Sequence, residues 1–138
     1  MVPEERVGSG SPPSSRPGVR LWLVEDEVLV GRLIESILAD CGFEVRWFTE
    51  AETALREADN GLLPEVLVTD LALPGIDGLA LASSLRGLDP RLPVLVTSGF
   101  GLGEDREALP DVEYLDKPFT PRLLLERLEA MGHATRAR

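Results

Sequence analysis

Short apolar segments alternate with segments of helical periodicity along most of this chain, and this alternation restricts the possible fold more than any other feature. The third and fourth apolar segments are nearly continuous valine and leucine, as expected for strands buried on both faces of a parallel sheet. Strict alternation of strands and helices predicts a doubly wound α/β domain. The five predicted strands are Val19–Val24, Glu44–Phe48, Glu65–Thr69, Leu92–Thr97 and Val112–Leu115.

The segment after the first predicted strand has apolar residues at spacings of three and four, which is typical of a helix with one face on a sheet. The expected buried face consists of Leu29, Leu33, Ile37 and Leu38.

The two ends of the chain lack this periodicity. Residues 1–18 are rich in proline, glycine and serine, which predicts a disordered tail, and residues 133–138 are expected to form a short polar tail. One domain is therefore expected over residues 19–132, with no DNA-binding or enzymatic output segment after it. His133, the only histidine, falls in the second tail, so we expect no catalytic or metal-binding role for it.

Composition excludes several classes of function. The chain has 138 residues, of which 43% are hydrophobic, enough for one core. Its net charge of −10 opposes binding to nucleic acid or to an anionic membrane surface. No segment approaches the roughly 20 apolar residues that span a bilayer, and the N-terminal residues lack the apolar core of a signal peptide, so we expect a cytoplasmic protein. Cys41 is the only cysteine, which excludes an internal disulfide bond.

Polar residues end or follow four of the predicted strands. Glu25–Glu27 follow the first, Asp70 the third, Thr97 ends the fourth, and Lys117 follows the fifth. Because the carboxyl ends of parallel strands meet at one edge of a sheet, we expect these residues to converge there. Crowded carboxylates favour a hard cation, and oxygen ligands without histidine or cysteine suit Mg²⁺. A helix cap, a turn and an ordinary strand residue would explain the individual positions, but not their convergence.

These residues stand in four segments that resemble motifs of the receiver domain of two-component response regulators. LVEDE resembles the family's acidic pair, VTDLALPGIDG its phosphoacceptor loop, LVTSG its hydroxyl position and YLDKPF its invariant lysine. The resemblance covers residues 19–132 and implies a flavodoxin-like (βα)5 fold with a five-stranded parallel sheet. The matching positions are Glu25, Asp26, Asp70, Pro74, Asp77, Gly78, Thr97 and Lys117.

The resemblance implies that Asp70 accepts a phosphoryl group from a phosphohistidine on a sensor histidine kinase or a histidine phosphotransfer protein. Mg²⁺ would be held by Asp26, Asp70 and the backbone carbonyl of Ala72, with Glu25 acting through water. The chain would be a signalling receiver rather than an enzyme, although it would catalyse its own phosphorylation and dephosphorylation. Its output would go to a downstream protein that the sequence does not identify.

Lys117 is the only lysine among 14 basic residues, and the resemblance implies that it bridges the acceptor carboxylate and the phosphoryl oxygens. The broad planar fork of arginine would not fit that place equally well. The resemblance also implies a cis Lys117–Pro118 peptide bond. In the implied switch, Thr97 donates its hydroxyl to the phosphoryl group and Tyr114 turns inward. A half-buried strand aromatic would explain Tyr114 almost as well.

Two features depart from the family pattern. Ala72 and Gly99 stand two residues after Asp70 and Thr97, where neither side chain can orient or block water, so the lifetime of the phosphoryl group stays open. The glycine-rich segment after the fourth strand predicts a short or irregular fourth helix. We expect residues 99–109 to be mobile until phosphorylation or partner binding orders them, and a short, well-packed helix is the alternative.

Two other functions are alternatives to that of a receiver. The first is a Mg²⁺-dependent phosphatase resembling the haloacid dehalogenase superfamily, which uses an aspartate nucleophile but needs a second acid at the position of Ala72. The second is a degenerate receiver that acts only as a binding module, which intact Asp26, Asp70, Thr97 and Lys117 oppose. A stand-alone protein and a fragment of a hybrid histidine kinase look alike in sequence, and the start at Met1 favours the former weakly.

Overall fold

The computed structural model describes residues 18–99 and 109–136 of the chain, with side chains described up to residue 131. These residues form five strands and four helices. The strands are β1 (Arg20–Val24), β2 (Glu44–Phe48), β3 (Val66–Asp70), β4 (Val94–Ser98) and β5 (Val112–Asp116). The helices are α1 (Val28–Asp40), α2 (Ala51–Asp59), α3 (Gly78–Leu88) and α4 (Pro121–Arg136).

The five strands form one parallel sheet in the order β2-β1-β3-β4-β5. The chain runs outward from β1 to β2 and then crosses to β3 on the other side, so the strand order reverses between β1 and β3. In sheets of this kind the ligand site lies at the carboxyl ends of the strands beside that reversal. The predicted doubly wound, flavodoxin-like sheet is confirmed.

The core has one layer on each face of the sheet. Helices α2 and α3 cover one face and helices α1 and α4 cover the other. Every residue of β3 and β4 is buried, and successive side chains of β3 alternate between the layers, with Leu67 in one and Val66 and Val68 in the other. This burial on both faces explains the continuous valine and leucine of these strands.

The predicted buried face of α1 is partly wrong. Leu38 is buried as predicted, but Leu29 is 82% exposed and Leu33 is 61% exposed, while Ile34 is buried. Because apolar residues occur on more than one side of this helix, spacings of three and four fit two different faces. The face that carries Ile34 and Leu38 packs on the sheet. Gly31 is also buried, and because it has no side chain it leaves room for the ring of Trp47.

Two predicted boundaries can be compared with the structure only in part. Helix α4 continues to Arg136, so residues 133–136, predicted as part of a polar tail, are helical. The apolar spacing ends at Met131, but backbone hydrogen bonds extend a helix without apolar residues. Residues 1–17 of the predicted N-terminal tail lie outside the described residues. So do residues 100–108, which are most of the segment 99–109 between β4 and β5 that was predicted to be mobile or to form a short helix. Within the described part of the chain, no helix has the length and apolar character needed to cross a bilayer.

Candidate functional site

Three carboxylates meet where β1 and β3 end. Glu25 and Asp26 lie in the turn between β1 and α1, and Asp70 is the last residue of β3. One oxygen from each of the three carboxylates lies within 4.8 Å of the other two. Glu25 is 1% exposed and Asp70 is 7% exposed, whereas Asp26 is more open to solvent. The parallel pairing of β1 with β3 therefore brings together acids that are 45 residues apart in sequence, as Glu25 and Asp70 are.

Lys117 reaches this cluster from the far side of β4. Its Nζ lies 3.0 Å from Oε1 of Glu25 and 3.2 Å from Oδ2 of Asp70. Its backbone N–H donates to the carbonyl of Ser98 at 2.7 Å, which fixes the residue at the end of β4. The Lys117–Pro118 peptide bond is cis, the geometry that the resemblance implied. The ammonium group of Lys117 therefore lies between two of the three carboxylates.

Burial and pairing have opposite effects on these groups. Burial raises the pKa of the Glu25 carboxyl above its ordinary value, and the hydrogen bonds from Lys117 and from the Glu27 amide offset only part of this effect. Burial alone would lower the pKa of Lys117, but its hydrogen bonds and charge interactions with Glu25 and Asp70 raise it overall. The ammonium is therefore held firmly in its charged form.

The remaining predicted residues surround Asp70 or lie near it on neighbouring strands. Thr97 is paired with Asp70 across β3 and β4 and is 1% exposed. Ala72 lies two residues beyond Asp70 at an exposed position. Tyr114 is half-buried on β5, paired with Val96 and packed on the core. These positions are compatible with the implied switch and also with the simpler interpretation of Tyr114 as a strand aromatic.

The loop after Asp70 is anchored by its last residue and by the first residue of α3. The Asp77 carboxylate caps helix α3 by accepting the N–H of Ala80 at 2.8 Å, and the N–H of Gly78 donates to the carbonyl of Leu71 at 2.8 Å. A side chain on Gly78 would collide with the backbone carbonyl of Asp70. Glycine is required here because two backbone segments approach each other closely.

One contact to the acidic turn was missed by the sequence analysis. The indole N–H of Trp47, on edge strand β2, donates to the backbone carbonyl of Glu25 at 3.0 Å. The ring lies against Gly31 of α1, where a Cβ would overlap it. A glycine inside a predicted helix was the available signal, since it often marks a close approach.

The donor set fits a hard divalent cation. Three carboxylates converge, and among the described residues the one positive group within ion-pair distance of them is Lys117. Crowded carboxylates left in excess over positive groups repel one another, and oxygen ligands are those that hard cations prefer. The residues can therefore hold a metal ion beside the Asp70 carboxylate.

The carboxylate cluster and its lysine belong to a domain of a known family. The model of the response regulator receiver domain matches residues 21–129, which is more than half of the chain. The chain belongs to this family. The predicted family is therefore confirmed, and the matched family is not the haloacid dehalogenase superfamily.

Similar proteins agree with this membership. The receiver is 36% identical over 117 residues to the response regulator RppA of Synechocystis, covering 82% of this chain and 50% of that protein. It is 34% identical over 120 residues to the transcriptional regulatory protein QseB of Escherichia coli O157:H7, covering 85% of this chain and 54% of that protein. The receiver spans about half the length of these curated relatives.

A solved structure shows the same fold. The response regulator receiver protein from Sinorhizobium medicae superposes with a TM-score of 0.77 at 29% identity, over 83% of this chain and 94% of that one. The receiver thus shares its architecture with a protein of the same family along nearly the whole of that protein.

Proposed function

We propose that this receiver accepts a phosphoryl group on Asp70 in a two-component system or phosphorelay, and that it signals to a protein partner by changing conformation. The observation that carries the proposal is the position of the Asp70 carboxylate, which pairs with Lys117 and clusters with the two acids of the β1–α1 turn. A carboxylate is a weak nucleophile toward an anionic phosphoryl group. Catalysis therefore depends on neutralising charge and on holding the reacting atoms in line.

Mg²⁺ is the proposed cofactor. Asp26 and Asp70 would hold it directly, together with the backbone carbonyl of Ala72, and Glu25 would act through a water molecule. When bound, the ion supplies positive charge that neutralises the phosphoryl oxygens and the acceptor carboxylate. The carboxylate cluster supports this assignment, since Mg²⁺ is bound through one or two carboxylates plus waters and a phosphate.

In the proposed transfer, an Asp70 oxygen forms a bond to phosphorus while the bond from phosphorus to the donor histidine nitrogen breaks. The bonding electrons stay on the histidine nitrogen, and the leaving group takes up one proton from solvent to become a neutral imidazole. Lys117 contacts Asp70 before transfer and a phosphoryl oxygen afterwards, and Thr97 donates its hydroxyl to another. Tyr114 then moves inward behind Thr97, which carries the change toward β5.

The donor in this proposal is a sensor histidine kinase or a histidine phosphotransfer protein, and the transfer takes place in the cytoplasm. The receiver acts as a signalling domain rather than as an enzyme for other substrates, although it promotes its own phosphorylation and dephosphorylation. The downstream partner is a protein.

Incubation with acetyl phosphate and Mg²⁺, followed by intact mass measurement, tests the proposal. The wild-type receiver should gain one acid-stable, base-labile phosphoryl group, and Asp70→Asn should gain none. Asp77→Asn is a matched control, because Asp77 caps α3 outside the carboxylate cluster and asparagine keeps a cap. Labelling of Asp70→Asn at the wild-type rate would refute the assignment, and no labelling of the wild type would favour a degenerate receiver that only binds.

A further inference from the structure

The indole ring of Trp47 fills a space that exists because residue 31 is glycine. Trp47 lies on the edge strand β2, and its indole packs against Gly31 in the first turn of α1. Glycine inside a helix is unfavourable relative to alanine. Here the missing side chain makes room for the ring, because a Cβ at this position would overlap indole atoms. The ring is therefore held between α1 and β2 in a fixed orientation.

The fixed ring directs its N–H at the backbone of the acidic turn. The indole nitrogen lies 3.0 Å from the carbonyl oxygen of Glu25. The backbone N–H of Glu25 also bonds to β2, where it donates to the carbonyl of Phe48 at 3.0 Å. The paired part of β1 ends one residue earlier, at Val24. The bond from Trp47 thus holds a carbonyl that lies beyond the strand ladder.

This carbonyl belongs to the peptide unit that joins Glu25 to Asp26. Because a peptide unit is planar, fixing its oxygen also fixes the nitrogen of Asp26 and the direction in which Asp26 leaves the strand. Among the described residues, none donates a hydrogen bond to the Asp26 carboxylate, whereas Lys117 bonds both Glu25 and Asp70. The orientation of the Asp26 carboxylate therefore depends on the backbone that carries it.

We propose that Trp47 is a positioning residue for the cation site, which orients Asp26 by holding the Glu25–Asp26 peptide unit. The inference rests on the proposed function, in which Asp26 is a ligand of Mg²⁺. Trp47 itself touches neither the metal nor the phosphoryl group. It acts through the carbonyl of Glu25, so its removal should weaken the binding of the cation without removing a ligand.

The Trp47→Phe variant tests this role, because phenylalanine keeps an aromatic ring beside Gly31 and removes the N–H donor. Loss of one hydrogen bond predicts a Mg²⁺ affinity about threefold to tenfold weaker by isothermal titration calorimetry. Trp22→Phe is the matched control. Trp22 lies on β1, is 3% exposed, and packs edge-on against Phe48 with ring centroids 4.9 Å apart. It belongs to the opposite core layer, so its replacement should lower stability and leave the Mg²⁺ affinity unchanged.

A spectroscopic measurement tests the same role without any substitution at Trp47. The receiver has two tryptophans, so its nitrogen–proton NMR spectrum contains two indole signals, which the two variants assign. Addition of Mg²⁺ should shift the signal of Trp47 and leave that of Trp22 in place. This measurement is made on the wild type and on Trp22→Phe, so it stands even if Trp47→Phe does not fold.

Each outcome supports or overturns the inference. Weaker Mg²⁺ binding in Trp47→Phe alone, with a shift confined to the Trp47 indole, supports it. Equal affinity in Trp47→Phe and the wild type overturns it and leaves the proposed function intact. An equal loss of affinity in both variants also overturns it, because lowered stability would then be the cause. A wild type that does not bind Mg²⁺ overturns the proposed function and this role with it.

Discussion

The ammonium nitrogen of Lys117 lies 3.2 Å from Oδ2 of Asp70, although Lys117 follows β5, Asp70 ends β3, and β4 separates these two strands. The backbone of Lys117 is anchored to the end of β4 through Ser98, and only its side chain crosses to the acidic cluster. The same nitrogen also contacts buried Glu25 at 3.0 Å. The position of the ammonium group therefore depends on the length of the lysine side chain and on two carboxylates that accept hydrogen bonds from the same nitrogen.

We expect Lys117→Arg to behave like a loss of function, although it keeps the positive charge. The planar guanidinium is broader than an ammonium and cannot place one nitrogen at the same distance from both carboxylates. Phosphorylation by acetyl phosphate should slow about tenfold to a hundredfold, the range expected for loss of a charge-assisted hydrogen bond. Lys117→Met provides the reference for complete loss of charge. Labelling of Lys117→Arg at close to the wild-type rate would show that charge alone is needed.

The substitution Asp26→Asn should separate metal binding from folding. Loss of a charged ligand should weaken Mg²⁺ binding and slow phosphorylation. In metal-free buffer the same variant should melt at a slightly higher temperature, because one of three crowded carboxylates is neutralised. Glu27→Gln is the control, since Glu27 is an exposed neighbour outside the cluster. If Mg²⁺ affinity is the same in Asp26→Asn and the wild type, Asp26 is not a ligand.

Glu25 should make stability depend on pH in metal-free buffer. Burial raises its pKa in the folded state above the ordinary value of 4.5, so ionisation of this carboxyl is less favourable in the folded chain than in the unfolded chain. Its contribution to stability is fully present below pH 4.5 and is lost as pH rises through the folded pKa. Relative to Glu25→Gln, the wild type should therefore lose unfolding free energy from pH 4.5 upward in urea titrations. A difference that grows with pH would mean that pairing with Lys117 outweighs burial.

The sequence was sufficient for the fold and for the acids because both follow from strong local patterns. Continuous valine and leucine in β3 and β4 required burial on both faces, and parallel pairing then placed Asp70 beside the β1–α1 turn. The same reasoning could not orient α1. Its apolar residues lie on more than one side of the helix, so the spacing alone assigned Leu29 and Leu33 to the core although they are exposed.

Contacts that depend on three-dimensional packing were not predictable from the sequence. The bond from Trp47 to Glu25 requires the register of β1 with β2 and the close approach of α1, and neither can be deduced from spacing. The direct pairing of Lys117 with Glu25 was missed for a similar reason, since it depends on how far the side chain reaches across β4. The sequence placed Glu25 only as a second acid near the metal.

Gly78 offers a test of how closely the phosphoacceptor loop is packed. A methyl group at this position would collide with the backbone carbonyl of Asp70, which cannot rotate away as a side chain could. Gly78→Ala should therefore lower the free energy of unfolding by about 1–3 kcal/mol, as overpacking does, and should also slow phosphorylation by displacing Asp70.

Gly87, in the same helix, is the matched control for this prediction. It is exposed, and a Cβ there would meet nothing within 4 Å. Because alanine is the better helix former, Gly87→Ala should leave stability unchanged or raise it by up to about 1 kcal/mol, with normal phosphorylation. Urea unfolding of both variants measures the difference. Equal stabilities for Gly78→Ala and Gly87→Ala would show that the loop after Asp70 can move aside. The close contact with the Asp70 carbonyl would then not be the reason for glycine at residue 78.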